Sequence, residues 1–476
     1  MSKIQIIFKN MSWLLISQII ASVCGFIWTI LMARYLGVSN YGVLGFAISI
    51  TGILGIIDDC GISTHIVRHI STNYESAPKY LGNAIPLKII FALIKLAITF
   101  IILILLNVNE FTILITLLFS FEMIFKSFIV SFNGIFQAFE NGKYQGIGIT
   151  LMNTTTLLFI LVSIYADLGL LGISISYILA NLITFIYEYY VLNKHFVKPK
   201  FELDREFCKK ITLLSIPFAI TGILYTVYYS IDLVMLTKLV GDYANGIYNA
   251  TYKLISVLTL FYSVYTAAIF PVMSKLFKND KKLLVISYEK SIKYLMLVMI
   301  PIAVGTVFYS LNIIQLIYGH QYDAAASVLS ILIWTVCLLF VSGASNTLLN
   351  ASHKETTVTK IYTIAAVFNI VLNFIMIPYF SYNGAAVTTV LSDVLIVALQ
   401  TYVIHKMGNK INKKLYIDLI KIFIGSAVLG IALYFLNLNM WVAIPVGLII
   451  YLTVVYLLRI FDNEDMYVIK EILGKN

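Results

Sequence analysis

The sequence predicts an all-α polytopic membrane protein. Its fourteen transmembrane helices would form two pseudo-equivalent six-helix bundles around a central cavity, followed by two additional C-terminal helices. Three observations predict it. First, 60% of the 476 residues are hydrophobic, 12% are charged and the mean hydropathy is +0.92, so water is not the main solvent of the folded chain. Second, apolar runs of helical length recur from end to end, each able to cross a bilayer core that takes roughly 20 apolar residues. Third, 28 of the 33 Lys and Arg fall in alternate connectors, on one side of the membrane so defined.

Taken in order, runs at 11–35, 41–66, 85–106, 111–138, 147–165 and 168–192 make a first set of six. The first run is too long for a signal-peptide core and remains a span. After a polar stretch from Asn193 to Lys210, runs at 213–238, 244–274, 292–317, 325–350, 361–378 and 383–404 make a second six. A basic connector, His405 to Leu415, precedes the last two, at 417–436 and 441–460. The resulting division is an N-terminal lobe at 1–192, a cytoplasmic linker at 193–212, a C-terminal lobe at 213–404, and a connector, helix pair and tail at 405–476.

Cationic connectors are retained in the cytoplasm, so both termini are expected there, in a cell (plasma) membrane. The net charge of +10 follows from inner loops facing an anionic leaflet, and nucleic acid is not a partner. The outer connectors, such as Asn107 to Glu110 and Asn437 to Asn439, are a few residues each, which leaves function to the bundle and its inner loops. Four scattered cysteines, Cys24, Cys60, Cys208 and Cys337, imply neither a disulfide framework nor a metal site.

The two sets of six carry a common signature. Arg34-Tyr35-Leu36-Gly37 followed by Gly42-Val43 aligns with Lys238-Leu239-Val240-Gly241 followed by Gly246-Ile247, each pair 204 residues apart. Duplication explains this better than two coincidental helix-end glycines. An even number of spans per set gives the halves parallel topology, the usual basis for rocking about a central site.

Ionisable groups inside hydrocarbon cost at least about 2.5 to 3.5 kcal/mol each on insertion scales, so every one needs a partner or a function. They are Asp58 and Asp59 in span two, Lys95 in span three, Glu122 and Lys126 in span four, Asp232 in span seven, Lys253 in span eight and Asp393 in span twelve. Arg34 and Lys238 stand at the outer ends of spans one and seven, where a long side chain can snorkel to the interface. Glu122 and Lys126 have the i,i+4 spacing that lets them neutralise each other. Lys95 and Lys253 have no such neighbour, so each requires either a carboxylate on another helix or an anionic substrate. The substrate-binding candidates are therefore Arg34, Lys95, Lys126 and Lys253.

Adjacent Asp58 and Asp59 point about 100° apart on a helix and cannot share one partner. With Asp232 they are the candidates for coupling to protons, sodium or membrane potential. His65 and His69 have helical metal spacing but lack a third ligand, so no metal is expected. Pro217, Pro271 and Pro301 are hinge candidates or sources of ordinary curvature. Tyr225, Tyr228, Tyr229, Tyr262 and Tyr265 are read as packing residues before a sugar path. Phosphate-loop, H-E-x-x-H and G-x-S-x-G motifs are missing from the sequence, so neither a nucleotide nor another cofactor is expected.

Several stretches, in order, carry a family likeness: Ala33-Arg34-Tyr35-Leu36-Gly37 through Tyr41-Gly42; Asp59-Cys60-Gly61-Ile62 to Val67-Arg68; Phe270-Pro271-Val272-Met273-Ser274; Tyr318-Gly319 with Tyr322; Asn369 to Asn373 with Ile377-Pro378; and Tyr382-Asn383-Gly384-Ala385-Ala386. Over nearly its whole length the chain resembles the Wzx-like polysaccharide or lipid-linked oligosaccharide flippases of the multidrug/oligosaccharidyl-lipid/polysaccharide exporter superfamily. The resemblance implies two six-helix lobes plus two helices. It also implies movement of a polyprenyl- or dolichyl-(di)phosphate-linked oligosaccharide from the inner to the outer leaflet, alongside other polysaccharide-assembly proteins. In related peptidoglycan-precursor flippases, cavity arginines on helices one, two and eight serve the diphosphate. Only Arg34 and Lys253 carry that pattern over, because span two offers Asp58 and Asp59 instead, and this argues against a peptidoglycan precursor. Two alternatives stay open: a cation-coupled multidrug or metabolite exporter, which wants acids in its cavity, and a membrane-embedded glycosyltransferase or polymerase.

Overall fold

The computed structural model describes residues 3–199, 202–408 and 411–461; Lys470 and Lys475 lie outside them. Among the described residues the chain is helical with no strand. The α-helices are α1 (Lys3–Leu54), α2 (Ile56–Asp59), α3 (Ile62–Ile70), α4 (Ala77–Leu105), α5 (Glu110–Ala138), α6 (Gly142–Tyr165), α7 (Gly169–His195) and α8 (Arg205–Leu239). They continue as α9 (Asp242–Ser256), α10 (Thr259–Asn279), α11 (Lys281–Phe308), α12 (Ser310–Tyr318), α13 (Ala325–Ala351), α14 (Glu355–Lys406), α15 (Lys413–Leu436) and α16 (Met440–Leu457).

Ten segments among the described residues are long and apolar enough to cross a membrane, so this is a multi-pass membrane protein. Two helices are too long to be single spans. At 1.5 Å per residue a 52-residue helix would run roughly 78 Å, more than twice a hydrocarbon core of about 30 Å. Both α1 and α14 have 52 residues, and each is interrupted by one residue in a non-helical conformation: Gly37 (φ 70°, ψ 172°) and Ser381 (φ 51°, ψ −136°).

The solvent logic is inverted relative to a water-soluble helix, as α4 demonstrates. Its inward stripe, Lys88, Ala92, Lys95, Thr99 and Leu103, is buried, whereas Ile90, Leu93, Ile94, Ile101 and Ile104 are exposed. The apolar face meets lipid and the polar face meets protein. The 28 cations counted into connectors include Lys88, which the structure places inside α4, buried. Lys293 is likewise buried inside α11.

By internal packing the chain forms two compact units, Met1–Asn249 and Ala250–Asn476. In the first, α1 packs along α6 and α8, α7 along α5 and α6, and α4 on α5. Ile62, Ile66 and Ile70 of α3 meet Leu81 of α4 and Phe132 and Phe136 of α5 in its core. In the second, α13 is the hub, packed on α10, α11, α12 and α14, while α15 rests on α11 and α16 on α15. A buried ion pair, Lys293 Nζ to Asp418 Oδ2 at 3.0 Å, ties α15 to α11. Pro271 and Pro301 lie inside α10 and α11, and the side chains of Pro217 and Tyr225 are outside the described residues. Tyr228 and Tyr229 pack edge to face at 5.2 Å, and Tyr262 does so with Phe340 at 6.3 Å.

The connector before α8 is anchored by Asp204. Its carboxylate accepts from the Phe207 amide at 3.1 Å as the helix N-cap, and its own amide donates to Asn83 Oδ1 at 2.8 Å. The Phe207 amide holds this carboxyl below its ordinary range. Asp204→Ala is expected to lower the unfolding midpoint, because the Phe207 amide loses its cap. Because the folded-state value is depressed, the contribution of the cap is present at neutral pH and is lost as pH falls through the carboxylate range.

The repeat has a structural counterpart within the first unit. Gly37 and Gly241, 204 residues apart, both have positive φ, 70° and 122°, and both stand where one helical run gives way to the next. Gly42 and Gly246 lie at a backbone crossing. A β-carbon on Gly42 would fall 1.8 Å from the Asp242 carbonyl oxygen, and one on Gly246 would fall 2.0 Å from the Val38 carbonyl oxygen. Val38 and Asp242 are themselves 204 apart, so the contact is reciprocal, as a local two-fold requires. Asn245 Nδ2 donates to the Gly42 carbonyl at 2.9 Å across the same crossing.

Candidate functional site

The second predicted span does not run through as one helix. After α1 ends at Leu54, the chain makes the single turn α2, then passes through Cys60 (φ 44°) and Gly61 (φ 75°), both left-handed, before α3 begins. The break puts Asp58 and Asp59 at the end of α2, facing the polar stripe of α4.

Each carboxylate takes a different lysine. Lys95, fully buried on α4, donates to Asp58 Oδ2 at 2.6 Å and to the Ser120 carbonyl at 2.8 Å. Lys88, two helical turns earlier, donates to Asp59 Oδ1 at 2.6 Å and to the Ser127 carbonyl at 2.9 Å. Asp59 also accepts from the Ser63 hydroxyl and, at 3.3 Å, from the Ser63 amide in the first turn of α3, where a helix N-terminus favours negative charge. Of the two sequence alternatives for Lys95, a carboxylate on another helix is the one observed. The divergence expected for adjacent aspartates is what permits two separate pairs.

The remaining candidates are dispersed. Glu122 is buried on α5 and accepts from Asn181 Nδ2 of α7 at 2.7 Å, while Lys126, one turn on, is exposed. Asp232 is buried on α8 and accepts from Tyr248 Oη at 2.8 Å. Arg34 is exposed on α1; its neighbour Tyr35 donates to Asp167 Oδ1 at 2.8 Å and accepts from the Gly169 amide at 2.9 Å, pinning the α6–α7 connector. Lys238 donates to the Leu106 carbonyl at 2.6 Å, closing the C-terminus of α4. Lys253 is half-buried in the last turn of α9, and Asp393 is half-buried on α14. His69 stacks on Tyr80 at 5.4 Å between ring centres, and His65 packs against the same ring at 6.0 Å, tilted by 44°.

Four buried charges stand outside the sequence candidates: Lys88, Glu188, Lys293 and Asp418. Lys88, Lys293 and Asp418 lie within three residues of the predicted span starts at 85, 292 and 417, and Glu188 of α7 is a lone acid inside the run 168–192. A usable signal existed for Lys88: it lies seven residues before Lys95, so the two share a helical face.

The model of the family described as "Polysaccharide biosynthesis protein" matches residues 7–277, more than half of the chain. The chain belongs to that polysaccharide biosynthesis family. A second family model, "Lipid II flippase MurJ", matches residues 242–453. Among curated relatives of this family member, the capsular polysaccharide biosynthesis protein CapF of Staphylococcus aureus is 27% identical, over 83% of this chain and 98% of CapF. The probable low-salt glycan biosynthesis flippase Agl15 of Haloferax volcanii is 25% identical, over 80% of this chain and 79% of its own. Among solved structures, the lipid II flippase MurJ in an inward closed conformation superposes with a TM-score of 0.79 at 16% identity, covering 93% of this chain and 98% of that one. At that identity the match gives the fold, which is MurJ-like.

Proposed function

We propose that this protein is a flippase, not an enzyme, that moves a lipid-diphosphate-linked oligosaccharide from the cytoplasmic to the outer leaflet by alternating access, for cell-surface glycan assembly. The observation that carries the reading is the family match across residues 7–277. Its relatives CapF and Agl15, named for capsular polysaccharide and glycan biosynthesis, support the substrate class. In this reading the chain makes fourteen passes with both termini in the cytoplasm of a cell membrane. The interrupted α1 and α14 supply two passes each, and α8 and the α9–α10 stretch supply two more.

Cations meet the diphosphate because charge-assisted contacts replace its hydration. Arg34 and Lys126, both exposed, and Lys253 are the proposed contacts. Lys95 joins them only by exchanging Asp58 for the anionic substrate, since its ammonium already holds that carboxylate. Asp58, Asp59 or Asp232 would take up a coupling proton or sodium ion. The exporter alternative needs acids free to bind cations, and the lysine partners of Asp58 and Asp59 weigh against it.

A leaflet-resolved assay tests the reading. On depletion of the protein in its host, finished lipid-linked oligosaccharide is expected to accumulate where a membrane-impermeant sugar probe reaches it only after the cells are opened. Re-expression should reverse the accumulation. An unchanged leaflet distribution, with altered efflux of small organic cations, would replace the flippase with the exporter.

A further inference from the structure

Glu188 is the buried charge left without an account. It is fully buried on α7, and neither of its carboxylate oxygens completes a hydrogen bond among the described residues. It lies seven residues before the end of α7 at His195, which places it roughly 10 Å inside the helix terminus. Glu188 forms no ion pair among the described residues; Tyr187 stands beside it on α7, with Tyr144 of α6 next to that.

Asn133 of α5 turns its amide N–H toward the carboxylate, and its own Oδ1 has no hydrogen-bond partner. On α6, Gln145 is buried with Oε1 also unsatisfied, and one turn further Gly148 faces Glu188 directly. A β-carbon at residue 148 would lie 2.2 Å from Glu188 Oε1, so the space for the carboxylate exists because that residue is glycine. Helices α5, α6 and α7 pack on one another, bringing these groups to one level of the first unit. Buried polar atoms are nearly always satisfied, and the atoms left unsatisfied here, on Glu188, Asn133 and Gln145, are all acceptor oxygens, which a hard cation satisfies.

We propose that Glu188, with Asn133 and Gln145, binds a small monovalent cation, a sodium ion or a proton, inside the first unit. This site is separate from the Asp58–Lys95 and Asp59–Lys88 pairs, whose carboxylates already hold ammonium groups. Its binding can be measured whatever the protein transports.

The test uses the purified full-length protein in lipid nanodiscs. For sodium, equilibrium binding of radioactive sodium and the unfolding midpoint in sodium chloride against choline chloride are expected to show saturable binding and sodium-dependent stabilisation, both lost in Glu188→Gln. Asn133→Leu keeps the carboxylate and should weaken binding about tenfold, which preserves the test if Glu188→Gln fails to fold. If the occupant is the proton, sodium has no effect, and infrared spectra show a carboxylic-acid band that titrates with pH in the wild type and is missing from Glu188→Gln. Neither sodium binding nor a Glu188-dependent titrating band in the wild type overturns the proposal.

Discussion

Gly42→Ala and Gly246→Ala are each expected to abolish accumulation of folded protein. The added methyl group has nowhere to go, because the atoms it meets are backbone: the Asp242 carbonyl for residue 42 and the Val38 carbonyl for residue 246. A rotamer change cannot relieve that clash, so the two helices must separate, losing the Asn245 bond to the Gly42 carbonyl as well. Overpacking that side chains can absorb costs about 1 to 3 kcal/mol. This one belongs with the rare losses above about 4 kcal/mol. Gly52→Ala is the control, since a β-carbon there meets nothing within 4 Å and alanine favours the helix. Yield of monodisperse protein and its unfolding midpoint read the result. A Gly42→Ala protein as abundant and stable as the Gly52→Ala control would disprove the backbone crossing.

Lys95→Met should carry the second large effect, about 3 to 5 kcal/mol of destabilisation, because it leaves the Asp58 carboxylate buried without its counter-charge. Asp58→Asn alone should be similarly harmful, stranding the ammonium. The double variant Asp58→Asn/Lys95→Met is expected to recover most of the loss, since removing both charges removes both desolvation costs. The same cycle then separates structure from transport. A double variant that is stable but leaves lipid-linked oligosaccharide on the cytoplasmic leaflet assigns Lys95 to the substrate path. One that is stable and active confines the pair to holding the α2–α3 break against α4. Additive single effects with no recovery would mean that the two side chains do not compensate each other.

Much of the molecule could be read before any coordinates. The polytopic helical class, the glycine signature at a spacing of 204 and the need of Lys95 for a partner were all legible. The break at Cys60–Gly61 was not, because the run 41–66 is apolar enough to pass as one helix. The left-handed turn there is held by contacts from elsewhere in the chain, above all Lys88 on Asp59 and the Ser63–Ser131 hydroxyl pair at 2.8 Å. The Lys293–Asp418 pair is equally invisible in the sequence. Each lies within one residue of a predicted span end, and they become a pair because α15 packs on α11.

The division has one physical cause. In lipid every backbone N–H and C=O must be satisfied within its own helix, so the apolar runs alone determine that the chain is a stack of membrane-crossing helices, and where most of them start and stop. Which polar side chain meets which is decided by the faces that helices turn toward one another. Lys88 and Asp59 are 29 residues apart, Lys95 and Asp58 are 37 apart, and Glu188 meets α6 at Gly148. Such meetings leave no periodicity in the sequence, and only the tertiary structure brings them about.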